Sequence, residues 1–449
     1  MEVRVAVDER LWAELLSALK VREESAGIVL AGTADEDERL TLCLNRIIWT
    51  PDDAHDLRTP REMRIRSEGW MPALAEAAAQ DWQPIFFHTH PGMAPLPSPH
   101  DRRVEEELAP VFGARVGRPF AGMILGEERG APVFTGSLSG TAWTRLRVVG
   151  ERLRILAAFD ADGEQMPFVE TFDRQVRAFG RKGQALLRQL RIGVVGAGGT
   201  GSAVFEQLVR LGVGEIVLID DDLVSETNLT RIHGSSMADV GKPKVEVLGR
   251  SATAIGLDTK VEAHRHKVTD RPAFEALRGC DVVFGCTDDN VGRAVLSRLA
   301  YHYCLTVIDV GVMIGARDGQ VSDIDARATV MVPGTPCLFC RGRIDPNRLR
   351  EEQLPAEERE ALAREGYAQG LAEPDPAVVT YTTMIGSFAV DEMLQRLFGF
   401  AQDPSSEILV RPARREVRRL GGQSITGHFC ADASVTGRAD REPALGLGW

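Results

Sequence analysis

The sequence predicts an α/β protein with two units, a mixed α/β unit followed by a doubly wound, mainly parallel sheet. Residues 1–150 alternate short apolar runs with loops rich in Pro, Gly and Asp, which is typical of a mixed sheet with flanking helices. After residue 170, apolar runs end in Gly or Asp and alternate with helical stretches, as parallel strands with crossover helices do. We therefore predict units at 1–150 and 171–449, joined by a less patterned linker at 151–170.

Composition excludes several classes of protein. The 449 residues are 44% apolar and 26% charged, the balance of a globular chain with enough apolar material for more than one core. A net charge of −12 argues against a nucleic-acid binder that works by bulk charge, and no run approaches the roughly 20 apolar residues of a membrane span. Seven cysteines, an odd number, and a first segment without the apolar core of a signal peptide predict a reducing, cytoplasmic location.

The first unit carries a pair of histidines at the end of an apolar run. His88 and His90 close the run PIFFHTH, and because strand side chains alternate, both imidazoles project to the same side. Two ligands on one face of one strand are what a small metal site requires. The apolar periodicity of this unit predicts two helices, at about 9–20 and 99–112, and strands at 27–32, 84–87 and 121–126.

Two further polar residues follow the histidines at short spacing. Ser-Pro-His-Asp at 98–101 is typical of a helix start, with Ser98 as N-cap and Asp101 bonding back to it. A carboxylate held in this way is also rigid enough to be a third metal ligand. With His88 and His90 it would leave one position of a tetrahedral zinc site free for water.

This spacing of histidines, serine and aspartate resembles the JAMM (MPN+) zinc metalloprotease family over about residues 5–148. The resemblance includes Glu24-Ser-Ala-Gly27 before an apolar strand; taken alone, Glu24 is a solvated charge beside Glu23. It implies a mixed α/β, cytidine-deaminase-like fold, zinc at His88, His90 and Asp101, Glu24 as general base and Ser98 as the group that stabilises the oxyanion. The family cleaves peptide or isopeptide bonds after the C-terminal glycine of ubiquitin-like proteins.

The second unit opens with a glycine-rich loop after a strand. Gly-Ala-Gly-Gly-Thr-Gly at 196–201 follows RIGVV and precedes a helical stretch, so that phosphates would rest on the helix N-terminus. Asp220 ends the next strand and is placed to bind ribose hydroxyls. This much fits an NAD-dependent dehydrogenase equally well. Two cations and a further carboxylate follow, Arg231, Lys244 and Asp288, and these suit adenylation, in which a carboxylate attacks an α-phosphate against charge repulsion.

These motifs resemble the Rossmann-like adenylation domain shared by MoeB/ThiF and the ubiquitin-activating enzymes, over about residues 170–400. The resemblance implies ATP and Mg²⁺ as cofactors, with Mg²⁺ held by Asp288, and catalytic roles for Arg231 and Lys244. It also implies a homodimer, because Arg174 matches the arginine that enters the partner subunit's ATP site. Asn228 and Lys244 alone would read as a cap and a surface lysine. The nucleotide-binding residues that it implies are Gly196, Gly198, Gly199, Gly201, Asp220, Asp222, Asn228, Arg231, Lys244 and Asp288.

Three of the seven cysteines raise a separate question. Cys337-Leu-Phe-Cys340 matches half of a structural zinc site in the MoeB/ThiF family, but a second Cys-x-x-Cys pair is absent. His428-Phe-Cys430 would complete four ligands. Alternatively, Cys337 or Cys340 is a nucleophile that receives the activated carboxyl as a thioester. The other four cysteines lie in or beside apolar strands and read as small core residues.

Together the two resemblances imply one chain that acts twice on the same chain end. We expect a zinc peptidase that exposes the C-terminal glycine of a ubiquitin-like or sulfur-carrier protein, and an adenylation unit that activates this glycine for sulfur transfer or for a conjugating enzyme. Alternatively, the peptidase removes the conjugated modifier. Two other classes stay open: an NAD-binding oxidoreductase and a non-catalytic MPN scaffold.

Overall fold

The computed structural model describes residues 1–36, 38–159, 170–355, 357–358, 376–401 and 405–441. Contacts divide the chain into two compact units. The first comprises Met1–Glu164, Tyr301–Cys304 and Asp432–Gly446, and the second comprises Gln165–Ala300, Leu305–Ala431 and Leu447–Trp449. Within the described ranges, none of the helices has both the length and the apolar character needed to cross a bilayer.

The first unit is built on an eight-stranded mixed sheet in the order β1-β3-β2-β6-β7-β8-β9-β10, and β1 also pairs with β9. The remaining strands, β4 and β5, form a separate hairpin. Three helices accompany the sheet: α1 (Glu9–Ala18), α2 (Met71–Gln80) and α3 (Pro99–Val116). The strands are β1 (Glu2–Asp8), β2 (Ala26–Glu36), β3 (Arg39–Trp49), β4 (His55–Arg58), β5 (Met63–Ile65), β6 (Gln83–His90), β7 (Ala121–Glu128), β8 (Ala131–Leu138), β9 (Thr141–Val149) and β10 (Leu153–Ala157).

The two faces of this sheet carry separate apolar cores. Trp12 of α1 and Phe87 of β6 belong to one core, whereas Phe112 of α3 and Phe86 of β6 belong to the other. Side chains alternate along a strand, so His88 and His90 lie on the same face as Phe86. The sequence pattern therefore directs both histidines toward the side on which α3 packs.

The second unit contains a second eight-stranded sheet, in the order β13-β12-β11-β14-β15-β16-β17-β18. Strands β11 to β15 are parallel to one another, and β16 to β18 are antiparallel, so the predicted doubly wound, mainly parallel sheet is confirmed. The strands are β11 (Arg191–Val195), β12 (Glu215–Ile219), β13 (Lys260–His264), β14 (Val282–Gly285), β15 (Thr306–Arg317), β16 (Gln320–Met331), β17 (Glu407–Arg411) and β18 (Glu416–Leu420). The helices are α4 (Asp173–Gln189), α5 (Gly199–Arg210), α6 (Lys244–Ile255), α7 (Arg271–Arg278), α8 (Asn290–His302), α9 (Pro346–Gln353) and α10 (Val379–Phe398).

The segment predicted as a linker at 151–170 begins as part of the first sheet. Leu153–Ala157 forms β10, which pairs antiparallel with β9. Residues 160–169 of that segment lie outside the described residues. The strand escaped prediction because its five residues, LRILA, include only one charged side chain and show no alternation of polar and apolar positions.

The C-terminal residues were expected in the second unit, but the contacts place Asp432–Gly446 in the first. The Gly32 amide donates to the Gly437 carbonyl at 3.2 Å. The Asn45 side-chain amide donates to the carbonyls of Ser434 and Thr436, at 3.2 and 2.5 Å. Most of these contacts use backbone carbonyls, which every residue possesses, so the sequence offers no pattern from which to predict them.

Candidate functional site

In the first unit, the structure brings His88, His90 and Asp101 together. The histidines end β6, and Asp101 lies in the first turn of α3. The Asp101 carboxylate lies 3.3 Å from Nε2 of His88 and 3.5 Å from Nε2 of His90. The three potential ligand atoms lie within 4.8 Å of one another, close enough to share one metal ion.

The chemistry of these three side chains fits a zinc ion. Both ring nitrogens of His88 are buried without a hydrogen-bond partner, and a cation bound at Nε2, the nitrogen that faces Asp101, would satisfy one of them. His90 Nδ1 lies 3.3 Å from the Ala94 carbonyl, which favours a proton on Nδ1 and leaves Nε2 as a ligand. Burial raises the pKa of Asp101, but the two imidazoles beside its carboxylate more than offset burial and hold the pKa well below its usual range, so the carboxylate is ionised.

Glu24 precedes β2 and is held in register with the histidine strand. Ala26 pairs with His88, and the Ser25 amide donates to the Thr89 hydroxyl at 3.0 Å. The Glu24 carboxyl is buried, and burial raises its pKa to about 7. A carboxyl with this pKa accepts and returns a proton near neutral pH.

Arg58 on the β4–β5 hairpin fixes this backbone, a role that the sequence did not reveal. Its Nε donates to the Glu24 carbonyl at 2.8 Å and its second nitrogen to the Ser25 hydroxyl at 3.1 Å. A lone arginine in a polar loop has no pattern that would single it out.

Ser98 has the capping role that the spacing predicted. Its hydroxyl accepts from the Asp101 amide at 3.2 Å, and the Asp101 carboxylate accepts from the Ser98 amide at 2.6 Å. This reciprocal capping box fixes the carboxylate at the start of α3. The role of Ser98 toward an oxyanion stays a prediction.

In the second unit, the glycines of the loop after β11 are required by close backbone approach. Gly196 has φ +93°, and a Cβ on Gly201 would lie 1.7 Å from the Gly196 carbonyl oxygen. Gly198 is the N-cap of α5, and a Cβ there would meet nothing within 4 Å. The loop thus has no room for a side chain at Gly201, whereas Gly198 borders open space. There the N-terminus of α5 is accessible to a phosphate.

Asp220 and Lys244 form a charged cluster beside this loop. Asp220 accepts from the Ala197 amide at 2.7 Å and from the Asp222 amide at 2.9 Å, so it braces the loop through its backbone. The buried Lys244 ammonium lies 2.6 Å from Asp222 and 3.7 Å from Asp220. Burial raises the pKa of Asp220.

The other predicted residues of this unit lie around the cluster. The side chain of Arg231 passes over Gly199, where a Cβ would lie 3.1 Å from its Cδ, and one guanidinium nitrogen donates to the Thr227 carbonyl at 2.8 Å. Asn228 accepts from the Ser225 amide at 3.2 Å and so caps a short 3₁₀ turn, the structural role already considered for it. Asp288 and Arg174 are exposed, and their roles toward Mg²⁺ and a partner subunit stay predictions.

Cys337, Cys340, His428 and Cys430 converge elsewhere in the second unit. Their potential ligand atoms lie within 4.8 Å of one another. Cys337 Sγ lies 3.5 Å from Nδ1 of His428, and Cys340 Sγ lies 3.5 Å from Cys430 Sγ. The cysteines are free thiols, and this set of three sulfurs and one nitrogen suits a closed tetrahedral zinc site.

Comparison with protein families accounts for both units. The ThiF family model matches residues 172–418, more than half of the chain. The chain belongs to the ThiF family. Residues 9–135 of this ThiF-family protein match a second model, the prokaryotic homologs of the JAB domain.

The relatives of this ThiF-family protein are adenylyltransferases. It is 32% identical to the SAMP-activating enzyme E1 of Haloferax volcanii over 161 residues, which are 36% of this chain and 56% of that protein. It is also 32% identical to the molybdopterin-synthase adenylyltransferase of Salmonella typhimurium over 175 residues, 38% of this chain and 68% of that protein. The ThiF-family chain thus spans about half to two thirds of the length of these relatives.

Solved structures similar to the ThiF-family chain include E. coli MccB with ATP and PaaA. MccB is 20% identical with a TM-score of 0.45, over 59% of this chain and 75% of MccB. PaaA is 18% identical with a TM-score of 0.44, over 59% of this chain and 85% of PaaA.

Proposed function

We propose that the second unit adenylates the C-terminal glycine carboxylate of a ubiquitin-like or sulfur-carrier protein with ATP. The observation that carries the proposal is the buried Lys244 beside the glycine-rich loop, with Arg231 over Gly199. Named relatives that activate ubiquitin-like modifiers or molybdopterin synthase support this substrate class.

Each residue has a role that follows from the charges in the reaction. A carboxylate oxygen attacks the α-phosphorus, the bond from this phosphorus to the β-phosphate oxygen breaks, and pyrophosphate leaves with the electron pair. Both reactants are anions, so the cations of Lys244 and Arg231 lower the repulsion between them. Mg²⁺ at Asp288 would add positive charge to the phosphates when bound.

ATP–pyrophosphate exchange tests this proposal, with a sulfur-carrier protein that ends in Gly-Gly as substrate. Lys244→Met is expected to lower the exchange rate by about a hundredfold or more, the usual effect of losing one preorganised group at developing charge. Lys242→Met is the matched control, because this lysine is half-exposed and pairs with Asp239. Equal exchange in the two variants, or exchange in wild type that does not depend on the Gly-Gly carboxylate, would contradict the proposal.

For the first unit, we propose cleavage of a peptide or isopeptide bond after the same glycine. The unpartnered ring nitrogens of His88 among three ligand atoms favour it. Zinc held by His88, His90 and Asp101 would supply a Lewis acid that polarises the scissile carbonyl. Glu24 takes a proton from the water that attacks the scissile carbonyl, and the Ser98 hydroxyl donates to the oxyanion. Glu24 then returns the proton to the nitrogen as the C–N bond breaks, so that the amine leaves and the glycine carboxylate is released.

Cleavage of two fusion proteins tests the peptidase and its biological direction. One substrate carries extra residues after Gly-Gly, and the other carries the modifier on a lysine side chain. Glu24→Gln is expected to abolish cleavage while zinc content, measured by mass spectrometry, stays at the wild-type value. Its neighbour Glu23→Gln is the control. Preference for the linear substrate supports processing, and preference for the branched one supports removal from a conjugate. Cleavage by Glu24→Gln at the wild-type rate would reject the role of Glu24.

The homodimer is tested by mixing two inactive variants. In a dimer with shared sites, Arg174→Ala and Lys244→Met fail singly, but a mixed dimer contains one intact site. Coexpression is expected to restore about a quarter of wild-type exchange, because half of the dimers are mixed and each has one working site. No restoration would argue that Arg174 acts within its own subunit.

We also propose that the four-residue Cys–His cluster binds a structural zinc and that neither Cys337 nor Cys340 forms a thioester. Cys337 is fully buried, and its hydrogen bond with Cys430, together with burial, raises its pKa far above that of a reactive thiol. After incubation with ATP and the carrier, a reductant-sensitive adduct lost in Cys340→Ser but present in wild type would support the thioester instead.

A further inference from the structure

A buried cluster of charges lies beside the nucleotide loop and is richer in cations than in anions. Asp309 of β15 is fully buried and lies 3.4 Å from Nε of Arg293 on α8. Glu407 of β17 lies 2.9 Å from a nitrogen of Arg343 and 3.7 Å from one of Arg341. With Arg327 of β16 included, four guanidinium groups face two carboxylates.

Arg327 is the member of the cluster that has no described carboxylate within ion-pair distance. Within the described part of the chain it makes no ion pair, and its Nε is buried without a hydrogen-bond partner. Burial lowers its pKa and the charge of Arg343 lowers it further, while the carboxylates of Asp309 and Glu407, which lie beyond ion-pair distance, raise it without restoring its usual value. The Glu407 carboxylate is not within ion-pair distance of Arg327. It pairs instead with Arg343 and Arg341 and accepts a hydrogen bond from the Thr329 hydroxyl.

The two guanidinium groups of Arg293 and Arg327 meet over a glycine. Gly311 pairs with Arg327 across the β15–β16 ladder. A Cβ on Gly311 would lie 3.5 Å from a terminal nitrogen of Arg293 and 4.0 Å from one of Arg327. Gly311 therefore leaves a space without a side chain next to the guanidinium groups of Arg293 and Arg327; we call this space the floor. A planar carboxylate fits such an arrangement of N–H donors.

This floor lies next to the residues that surround the glycine-rich loop. Gly285 of β14 pairs with Asp309, and the following residue, Cys286, places its carbonyl against Gly196. Burial raises the pKa of the Cys286 thiol, and the negative charge of Asp309 raises it further, so Asp309 is close enough to act on this residue. Because β15 is two strands from β11, the floor lies about 10 Å from the strand that leads into the loop.

We propose that Arg327 and Arg293 bind the C-terminal carboxylate of the acceptor protein and hold it beside the nucleotide. This assignment rests on the proposed adenylation. The carboxylate adds negative charge to a cluster in which four guanidinium groups face two carboxylates, and its second oxygen stays available for attack on the α-phosphorus. A terminal glycine of the acceptor fits at the floor, because neither this glycine nor Gly311 has a side chain that would fill the space.

The test compares a synthetic decapeptide that ends in Gly-Gly as the free acid with the same peptide as its C-terminal amide. In wild type, calorimetric titration is expected to show at least tenfold tighter binding of the acid, the usual scale for a charge-assisted pair. Arg327→Met is expected to bind acid and amide equally while ATP raises its Tm as in wild type. Arg317→Met, which removes an exposed arginine from the tip of the same hairpin, should keep the preference.

A second variant protects the test against misfolding of Arg327→Met. Gly311→Val keeps both arginines but fills the floor, and it is expected to lose the acid preference. A preference for the acid that survives both changes, or its absence in wild type, would overturn the assignment. Failure of the adenylation proposal is separate, because it appears as a lack of pyrophosphate exchange in wild type with the carrier protein.

Discussion

Substitution by alanine is expected to have opposite effects on folding at Gly201 and Gly198, although both residues belong to the same loop. A Cβ on Gly201 would lie 1.7 Å from the Gly196 carbonyl oxygen, and real Cβ atoms do not approach closer than 3.0 Å. The backbone of the loop or of α5 must therefore move by more than an ångström. A Cβ on Gly198 would meet no atom within 4 Å, and its φ of −76° suits alanine.

The magnitudes separate folding from binding. Overpacking of this size costs about 3 kcal/mol or more, which lowers the Tm of a unit of this size by roughly 6–12 °C. Gly198→Ala costs at most about 1 kcal/mol, the loss of a favourable N-cap, and lowers Tm by less than about 4 °C. Its methyl group, however, projects into the space that the phosphates need.

Thermal unfolding with and without ATP measures both effects. At a hundredfold excess over Kd, ATP stabilises wild type by about 2.7 kcal/mol, or roughly 5–11 °C in Tm. We expect Gly198→Ala to keep its Tm without ATP and lose much of the ATP shift, and Gly201→Ala to lose both. If Gly201→Ala unfolds within 2 °C of wild type, or if the two variants behave alike, the steric reasoning is refuted.

Three further predictions concern stability. In metal-free protein, the raised pKa of Glu24 disfavours its ionised form in the folded state, so this carboxyl lowers stability progressively above its unfolded pKa and fully above pH 7. Glu24→Gln should therefore raise Tm at pH 8 but not near pH 4, below the unfolded pKa, whereas Glu23→Gln should raise it at neither pH; an equal gain at both pH values would contradict the burial argument. Cys337→Ser should remove one zinc per chain and lower Tm, and an unchanged zinc content would show that the cluster is not a metal site. Gly32→Ala places a Cβ 2.4 Å from the Gly437 carbonyl oxygen and should expose the C-terminal residues to protease, while Gly113→Ala, which meets nothing, should be neutral or stabilising by up to about 1 kcal/mol; equal protease resistance of the two would be contrary evidence.

The positions of the candidate metal and nucleotide residues could be predicted because local rules place them. His88 and His90 share a strand, so alternation alone sets their common face. Asp101 is fixed by a capping box that is visible in four consecutive residues. Gly196 and Gly201 are five positions apart in the sequence, and their backbones are in close contact within the same loop.

The rest of the site depends on contacts between residues far apart in the chain. Arg58 reaches Glu24 from a separate hairpin, and Arg327 meets Arg293 only after β16 has paired with β15. The register that makes Gly311 the partner of Arg327 is a property of the folded sheet. In the sequence, Arg327 looks like any other arginine on a strand.

Residues 432–441 form hydrogen bonds with the first sheet, so this sheet is completed only after nearly the whole chain has been synthesised. The strands that receive this segment leave the ribosome early, yet Gly437 is made 288 residues after Val149, the last residue of β9. At about 5–20 residues per second, this interval is roughly a quarter of a minute to a minute. During that time Asn45 and the backbone of Gly32 have no partners from this segment, so the N-terminal unit completes its hydrogen bonds only when the second unit has already been synthesised. A cell that makes this protein must keep an unfinished sheet from joining other unfinished sheets for that period.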